Sequence, residues 1–533
     1  MNIDLKNFND LALPDTQICI IGGGVAGIVL ANELSKKTDK KIVILESGSE
    51  TFDMDTQKLY QAESFPTNFP DPMYSRLRFL GGTSNHWQNN TSPLSPVDFE
   101  KRSGVKNSGW PISYEHIEPY YNKAALYCGT GNDGYEEKYW ENKLSVQDLV
   151  KKSNKIQTKV AKMSTPPVRF FNQFREELNQ ADNLTIYSNA TVTDIEFDAS
   201  EQKIKKVYMN SSPNKKHSIN ADVFIMCLGG IENARVLLTF NNKYSNQLGN
   251  QGDSVGRYFM DHPVVRAAHI HAKTEKNYNF YTRGAESNSD RIIKGYFQLS
   301  EQIIKYHKLS NIRVPLIPEN YYTLSDGISS YHSIANALSD FSVPDNFFEH
   351  VYNVFSDFDL VTEAILRKKF DTEFVDRAKE FGGFETQIMI EQTPERRNRI
   401  RLSDSKDAYG MNKIHIDWSI SQKDKDNLWK ALEVLAIEMG VLDIGRVRLL
   451  KEREDQIWSN LLGFGNHHMG TTRMSDSPKT GVVDSNQKVF GCENLFIGGS
   501  SVFSTGGHVP PTLTIVAMTI RLSEHLLNEF NYG

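Results

Sequence analysis

Ile18-Cys19-Ile20-Ile21-Gly22-Gly23-Gly24-Val25-Ala26-Gly27 runs directly into Ile28-Val29-Leu30-Ala31-Asn32-Glu33-Leu34 near the start of the chain. An apolar run, a cluster of glycines and a second apolar run read as a buried strand, a tight turn and the opening of a helix. Gly22, Gly24 and Gly27 fit G-x-G-x-x-G. The first allows the turn, the second lets backbone approach a pyrophosphate, and the third lets the helix pack on the strand. Val25 and Ala26 begin the helix, whose N-terminus offers unpaired N–H groups and a positive dipole end to phosphates. A second strand over 41–45 ends at Glu46, followed by Ser47. Glu46 stands where an acid meets a ribose hydroxyl. An acid there favours an unphosphorylated adenosine ribose, hence FAD or NAD rather than NADP.

The rest of the composition narrows the class. A chain of 533 residues is long enough for two or three layers of core. A formal net charge of −6 argues against a nucleic-acid footprint. No apolar run approaches the length of a membrane span. Met1 to Asn7 shows no basic region leading into an apolar core, so no secretory signal is visible. The four cysteines, Cys19, Cys128, Cys227 and Cys492, have no C-x-x-C spacing. Neither a disulfide framework nor a metal site is expected, and a reducing cytoplasm is the default.

After the first βαβ unit, 51–80 is expected to be extended loop over the nucleotide, and 81–87 is glycine-rich and polar. Helical spacing follows over 115–129, strands over 184–187 and 191–197, and an apolar strand over 222–228 that ends in Gly229 and Gly230. Those glycines are a second place where backbone approaches the cofactor, before a helix over 231–239. From about 262 alternating segments at 292–298, 384–390 and 413–418 suggest antiparallel strands with one wet face. Between them 345–381 reads as helical, and 424–439 as an amphipathic core helix. The expected class is α/β: a discontinuous Rossmann-like dinucleotide domain (1–261 and 458–533) with an inserted α+β substrate domain (262–457) built on an antiparallel sheet.

The tail carries His467-His468-Met469-Gly470-Thr471, Gly481-Val482-Val483-Asp484, Asn494-Leu495-Phe496 and Pro511-Thr512-Leu513-Thr514. With the glycine turn and Gly81-Gly82-Thr83-Ser84-Asn85-His86-Trp87, these segments resemble the glucose–methanol–choline (GMC) family of FAD-dependent oxidoreductases. In spacing they are most similar to its pyranose 2-oxidase-like bacterial branch. The resemblance implies a bound FAD and oxidation of a CH–OH group of a sugar, glycoside, cyclitol or similar polyol by hydride transfer to flavin N5. It implies a small alcohol substrate and an electron acceptor that is oxygen, a quinone or a redox protein.

In the family the histidine opening H-x-x-G-T is catalytic, here His467. Its neighbour His468 points the other way on an extended segment. The second catalytic position, before P-T-L-T, is Pro510, which offers no side-chain donor and no N–H; His508 is the expected substitute. By resemblance Gly81, Gly82, Thr83 and Ser84 approach the pyrophosphate and ribityl chain, and His86 and Trp87 lie near the flavin. In pyranose oxidase the residue matching His86 carries FAD covalently. Val192 meets adenine, Gly498 and Gly499 hold phosphates, and Pro511 and Thr512 lie beside the pyrimidine end of the ring. Alternatives are an FAD-containing lyase of the same fold, a catalytically degenerate FAD-binding protein, and an NAD-only dehydrogenase, which leaves the tail motifs without a job.

Overall fold

The computed structural model describes residues 1–272, 278–282, 284–288, 290–339, 342–344, 346–370 and 380–532. The glycine-turn strand, Thr16–Ile21, lies inside an eight-stranded sheet. On one side it pairs in parallel with Ile42–Leu45, then Leu184–Ser188, then the edge strand Asn2–Asp4. On the other it pairs in parallel with Lys215–Met226, whose far end takes Leu495–Ile497 from the tail, also in parallel. Lys203–Ser212 and Thr191–Asp198 complete the sheet as antiparallel strands.

Strands buried on both faces read as unbroken apolar runs, which is why 18–21 and 42–45 carry no alternation. The helix Val25–Ser35 is buried throughout Ala26–Leu34 because the C-terminal helix Thr512–Tyr532 covers the side that the sheet does not. Gly27 sets how closely that helix packs: a Cβ there would lie 1.9 Å from the Gly22 carbonyl oxygen.

The substrate side consists of several small antiparallel sheets rather than one. Ile312–Arg313, Ile388–Ile390, Pro263–Val265 and Gly463–Phe464 form one. Leu316–Asn320, Phe381–Thr386, Ala268–His271 and Arg446–Leu449 form a second. The run 384–390, expected as one strand, is divided between them. Arg291–Leu299 pairs with Ala285–Asn288 and with Ile156–Ser164, so a strand from within 1–261 serves this side. Conversely, the hairpin Arg399–Lys406 and Asn412–Asp417 sends Ile400, Ile414 and Ile416 into the core of the large sheet. The helix Gln422–Val441 buries Leu428, Ala431, Leu432 and Leu435 in a separate core.

Local readings differ in two places. The loop expected over 51–80 contains two helical turns, Met54–Gln57 and Lys58–Tyr60. The helix expected over 345–381 is two, Phe347–Ser356 and Phe358–Phe370, with 345 and 371–379 outside the described residues. Among the described residues no helix is long and apolar enough to cross a membrane.

Candidate active site

Three adjacent parallel strands, Thr16–Ile21, Lys215–Met226 and Leu495–Ile497, end side by side in glycine-bearing turns. Gly22 has φ +110°, and a Cβ there would lie 2.6 Å from the Cys227 carbonyl oxygen, so only glycine makes this turn. At Gly24, Gly229 and Gly499 a Cβ would meet no atom within 4 Å. Three stretches of bare backbone thus face open space at the carboxyl ends of the strands, where ligands bind in open α/β sheets. The turn Gly82–Asn85 lies over them, its Gly82 so close to Gly24 that a Cβ would lie 3.2 Å from the Gly24 Cα. Gly498 is tucked against Cys227, whose sulfur would lie 3.0 Å from an added Cβ. The residues present fit an extended diphosphate such as that of FAD.

Glu46 is buried beside this turn. Its Oε2 accepts the Gly23 N–H at 2.7 Å and its Oε1 the Gly48 N–H at 2.8 Å, so it braces the glycine turn. Ser47 Oγ lies 2.6 Å from Thr191 Oγ1 and accepts from Arg78 Nε at 2.8 Å. Val192, the next residue on that strand, is buried. Ser84 donates to the Gly81 carbonyl at 2.7 Å, while Gly81 and Gly82 both have positive φ. Thr83 is exposed and accepts from the Leu77 N–H. The Trp87 indole N–H is bound at 2.6 Å by the Val168 carbonyl and its ring packs on Phe170, which makes Trp87 an anchor of the loop. His86 is exposed at the end of the turn, its pKa lowered by partial burial and the charge of Arg169. Pro511 immediately precedes the helix that Thr512 opens.

The tail histidines sit on opposite sides of their segment, as alternation requires. His468 is buried against the rings of Phe69 and Phe259, with its Nε2 3.9 Å from Asp261 Oδ2. Burial holds its pKa down to about 3. His467 faces the other way, and its Nδ1 lies 2.9 Å from Nδ1 of His262. Gly465 makes room for the imidazole: a Cβ there would fall 2.4 Å from His467 Nδ1.

Two carbonyl oxygens, of Gly506 and Gly507, lie 3.2 and 3.0 Å from His262 Nε2. Carbonyls only accept, so that nitrogen carries the proton. Burial pushes the His262 pKa down to about 4, so the ring is neutral near pH 7 and its Nδ1 is bare. His467 Nδ1 must therefore donate. Burial first, then the positive charges that His262 and His468 would carry if protonated and that Arg313 does carry, hold His467 well below the ordinary histidine range. Its Nε2 is left as a bare lone pair with no hydrogen-bond partner among the described residues. Asp261 clamps the pair from below: its Oδ1 accepts the main-chain N–H of His262 at 2.6 Å and of His467 at 2.8 Å. Burial raises this carboxyl to about 7.

His508 is fully buried but does not bond His467. Its Nδ1 lies 3.4 Å from Asp98 Oδ2, and its Nε2 3.5 Å from the Tyr296 hydroxyl. Asp98 and His508 both act electrostatically on His262, which places them beside the same centre. Sequence reading missed His262 and Asp261. The signal was an Asp-His-Pro step at 261–263, and the expected domain boundary at 261/262 cut through it.

Residues 394–519 match the family model described as GMC oxidoreductase. Among curated proteins, the fructose dehydrogenase large subunit of Gluconobacter japonicus is 23% identical, covering 97% of this chain and 98% of its own. The 2-methyl-1,2-propanediol dehydrogenase of Mycolicibacterium austroafricanum is 22% identical, covering 88% and 84%. In fold, the chain is similar to the crystal structure of pyridoxine 4-oxidase from Mesorbium loti: TM-score 0.56, 14% identity, 96% of this chain and 99% of that one. With the glycine cradle and the tail histidine in place, these likenesses support an FAD-dependent oxidoreductase of CH–OH groups similar to the GMC family.

Proposed function

We propose that this enzyme oxidises a secondary alcohol of a sugar, glycoside, cyclitol or similar polyol, with His467 as the general base. The observation that carries the reading is the bare Nε2 of His467, fixed in that tautomer by His262 and the carbonyls of Gly506 and Gly507. An alcohol has a pKa far above 7, so its C–H bond gives up hydride readily only as its proton leaves. A neutral imidazole beside the hydroxyl takes that proton. FAD, when bound, supplies the hydride acceptor. The residues that would hold it are Gly22, Gly24, Val25, Ala26, Gly27, Glu46 and Ser47 on the nucleotide side. Val192 would meet the adenine, Gly81 to Ser84, Gly229, Gly498 and Gly499 the phosphates and ribityl chain, and Pro511 and Thr512 the pyrimidine end of the flavin.

His508 is the second polar group of the site. Pro510 offers no donor, and His508 with Tyr296 behind it holds the substrate hydroxyl while His467 takes the proton. Relatives named for a fructose and a diol dehydrogenase support the polyol class. Four buried free cysteines fit the reducing cytoplasm. His86, exposed and without a side-chain hydrogen bond, is available for a covalent link to the flavin.

The test is anaerobic flavin bleaching by a panel of polyols and glycosides, followed by stopped flow on His467→Ala. Loss of a general base costs about 10²–10⁴-fold, so the variant should keep its flavin and reduce it slower by that factor. Wild-type reduction rates in His467→Ala, with a defect in His468→Ala instead, overturn the assignment.

A further inference from the structure

A buried arginine on the substrate side has no counter-ion. Arg313 is 5% exposed. Its Nη2 donates to Asn90 Oδ1 at 3.2 Å, its guanidinium lies 4.5 Å over the Tyr296 ring, and its Nε has no acceptor. Among the described residues no carboxylate pairs with it. Four of the other five arginines buried among the described residues do not share this state. Arg76, Arg78 and Arg235 converge on Glu232, and Arg102 is bound by Glu391 at 2.7 Å. Arg473 also lacks a carboxylate, with its Nε unpaired and its guanidinium over Tyr258, but it donates to the Asn107 carbonyl and, unlike Arg313, is not among the charges acting on His467. A second cation faces the same place. Lys294 lies two residues before Tyr296 on the strand Arg291–Leu299, hence on the same face. It makes no hydrogen bond or ion pair among the described residues, and Arg313 acts on it electrostatically. The nearby carboxylate, Asp98, is already engaged by His508, the Ser95 N–H and Asn311.

The fold brings these cations to the catalytic pair. Arg313, Met389, Val264 and Gly463 stand in one register row across the four-stranded sheet. Val264 lies two residues after His262, and Gly463 four before His467. Tyr296, beneath the guanidinium, reaches His508 with its hydroxyl. A desolvated guanidinium is retained in a protein interior when an anion completes it, and its fork matches the oxygens of a carboxylate or phosphate.

We propose that the pocket facing His467 receives a polyol bearing an acid group, a carboxylate or a phosphate ester, and that Arg313 holds that group. This rests on the alcohol-oxidising reading above and names its substrate class. The acid binds Arg313, with Lys294 adding charge, while a hydroxyl elsewhere on the chain meets His467. The reaction remains loss of a proton from O–H to His467 and of a hydride from the same carbon to FAD.

The experiment uses the FAD-loaded enzyme under anaerobic conditions with D-gluconate, D-glucose 6-phosphate and neutral D-sorbitol, each titrated for flavin bleaching. An acid substrate should half-saturate about 100-fold or more below sorbitol, as two charge-assisted hydrogen bonds would give. Gluconate against glucose 6-phosphate decides which acid. In Arg313→Gln the acid-to-neutral ratio should collapse towards one, with Arg313→Lys intermediate. Acetate should compete with sorbitol in the wild type, which needs no variant to fold. Equal half-saturation by gluconate, glucose 6-phosphate and sorbitol, or no competition by acetate, overturns the proposal while leaving the alcohol reading intact. An Arg313→Gln defect equal for every substrate, with a lowered flavin potential, also overturns it, since the cation then serves the flavin. Failure of every alcohol to bleach the flavin defeats the underlying reading instead.

Discussion

With His467 proposed as the base, His262 is the residue whose loss tests that proposal most directly. Replacing it with leucine removes the acceptor for His467 Nδ1–H and leaves that donor buried. An unmet buried polar group costs about 1–3 kcal/mol, which the ring escapes by shifting its proton to Nε2 or by rotating. Either removes the lone pair from the substrate side. The productive form then falls to a minority by that energy, so flavin reduction should slow by about 5- to 150-fold while FAD stays bound. His262→Asn discriminates position from bulk, because its Oδ1 can stand where Nδ1 stood and accept the same proton. It should recover most of the rate, and His262→Gln, whose oxygen lies one bond further out, should not. The assay is single-turnover anaerobic reduction, with saturation separated from the limiting rate. The expected change is in the limiting rate. Leucine and asparagine variants of equal speed, or a defect confined to half-saturation, would refute the relay.

Four further outcomes follow from the same geometry. Because burial keeps His467 well below the usual range, flavin reduction should stay flat as pH falls through 6.5, and a tenfold loss per unit there would contradict the assignment. Gly24→Ala should weaken FAD retention with little change in the melting temperature of the apoprotein, whereas Gly27→Ala should destabilise the fold itself, since its Cβ meets a carbonyl oxygen at 1.9 Å. If His86 bonds the flavin, acid-precipitated enzyme stays yellow with the added mass of FAD, and release of all the flavin refutes the bond. Stability should fall on acidification from pH 6.5 to 4.5. Burial holds His262 and His269 at about 4 and His468 at about 3, so below 6.5 the unfolded chain takes up protons that the native state refuses. Asp261, raised to about 7, works in the opposite sense across that window. With His467 also held low by burial, four histidines outweigh one carboxyl, so the unfolded state binds more protons below pH 6.5, and a melting temperature that holds or rises on acidification would refute it.

The nucleotide half of the molecule was legible because its physics is local. Gly22, Gly24 and Gly27 act within a few residues of one another: Gly22 makes the turn and Gly27 the close packing that their spacing implied, and Gly24 leaves bare backbone facing open space. Glu46 was read as a ribose acceptor, and its bonds to Gly23 and Gly48 show a bracing role that no spacing announces. The substrate side was legible only as alternation, which gives strands but not partners: 384–390 reads as one strand and serves two sheets. The histidine centre is least local of all. His262 and His467 are 205 residues apart and meet because Pro263–Val265 pairs with Gly463–Phe464, a register no single-sequence pattern contains. Pro510 drew attention to its own neighbourhood and so to His508. Yet what His467 requires at its Nδ1 is an acceptor, and a neutral His262 locked by two carbonyls serves as one. The absence of a side-chain donor at residue 510 is therefore compatible with an active base, because the base is oriented from the far side of its own ring.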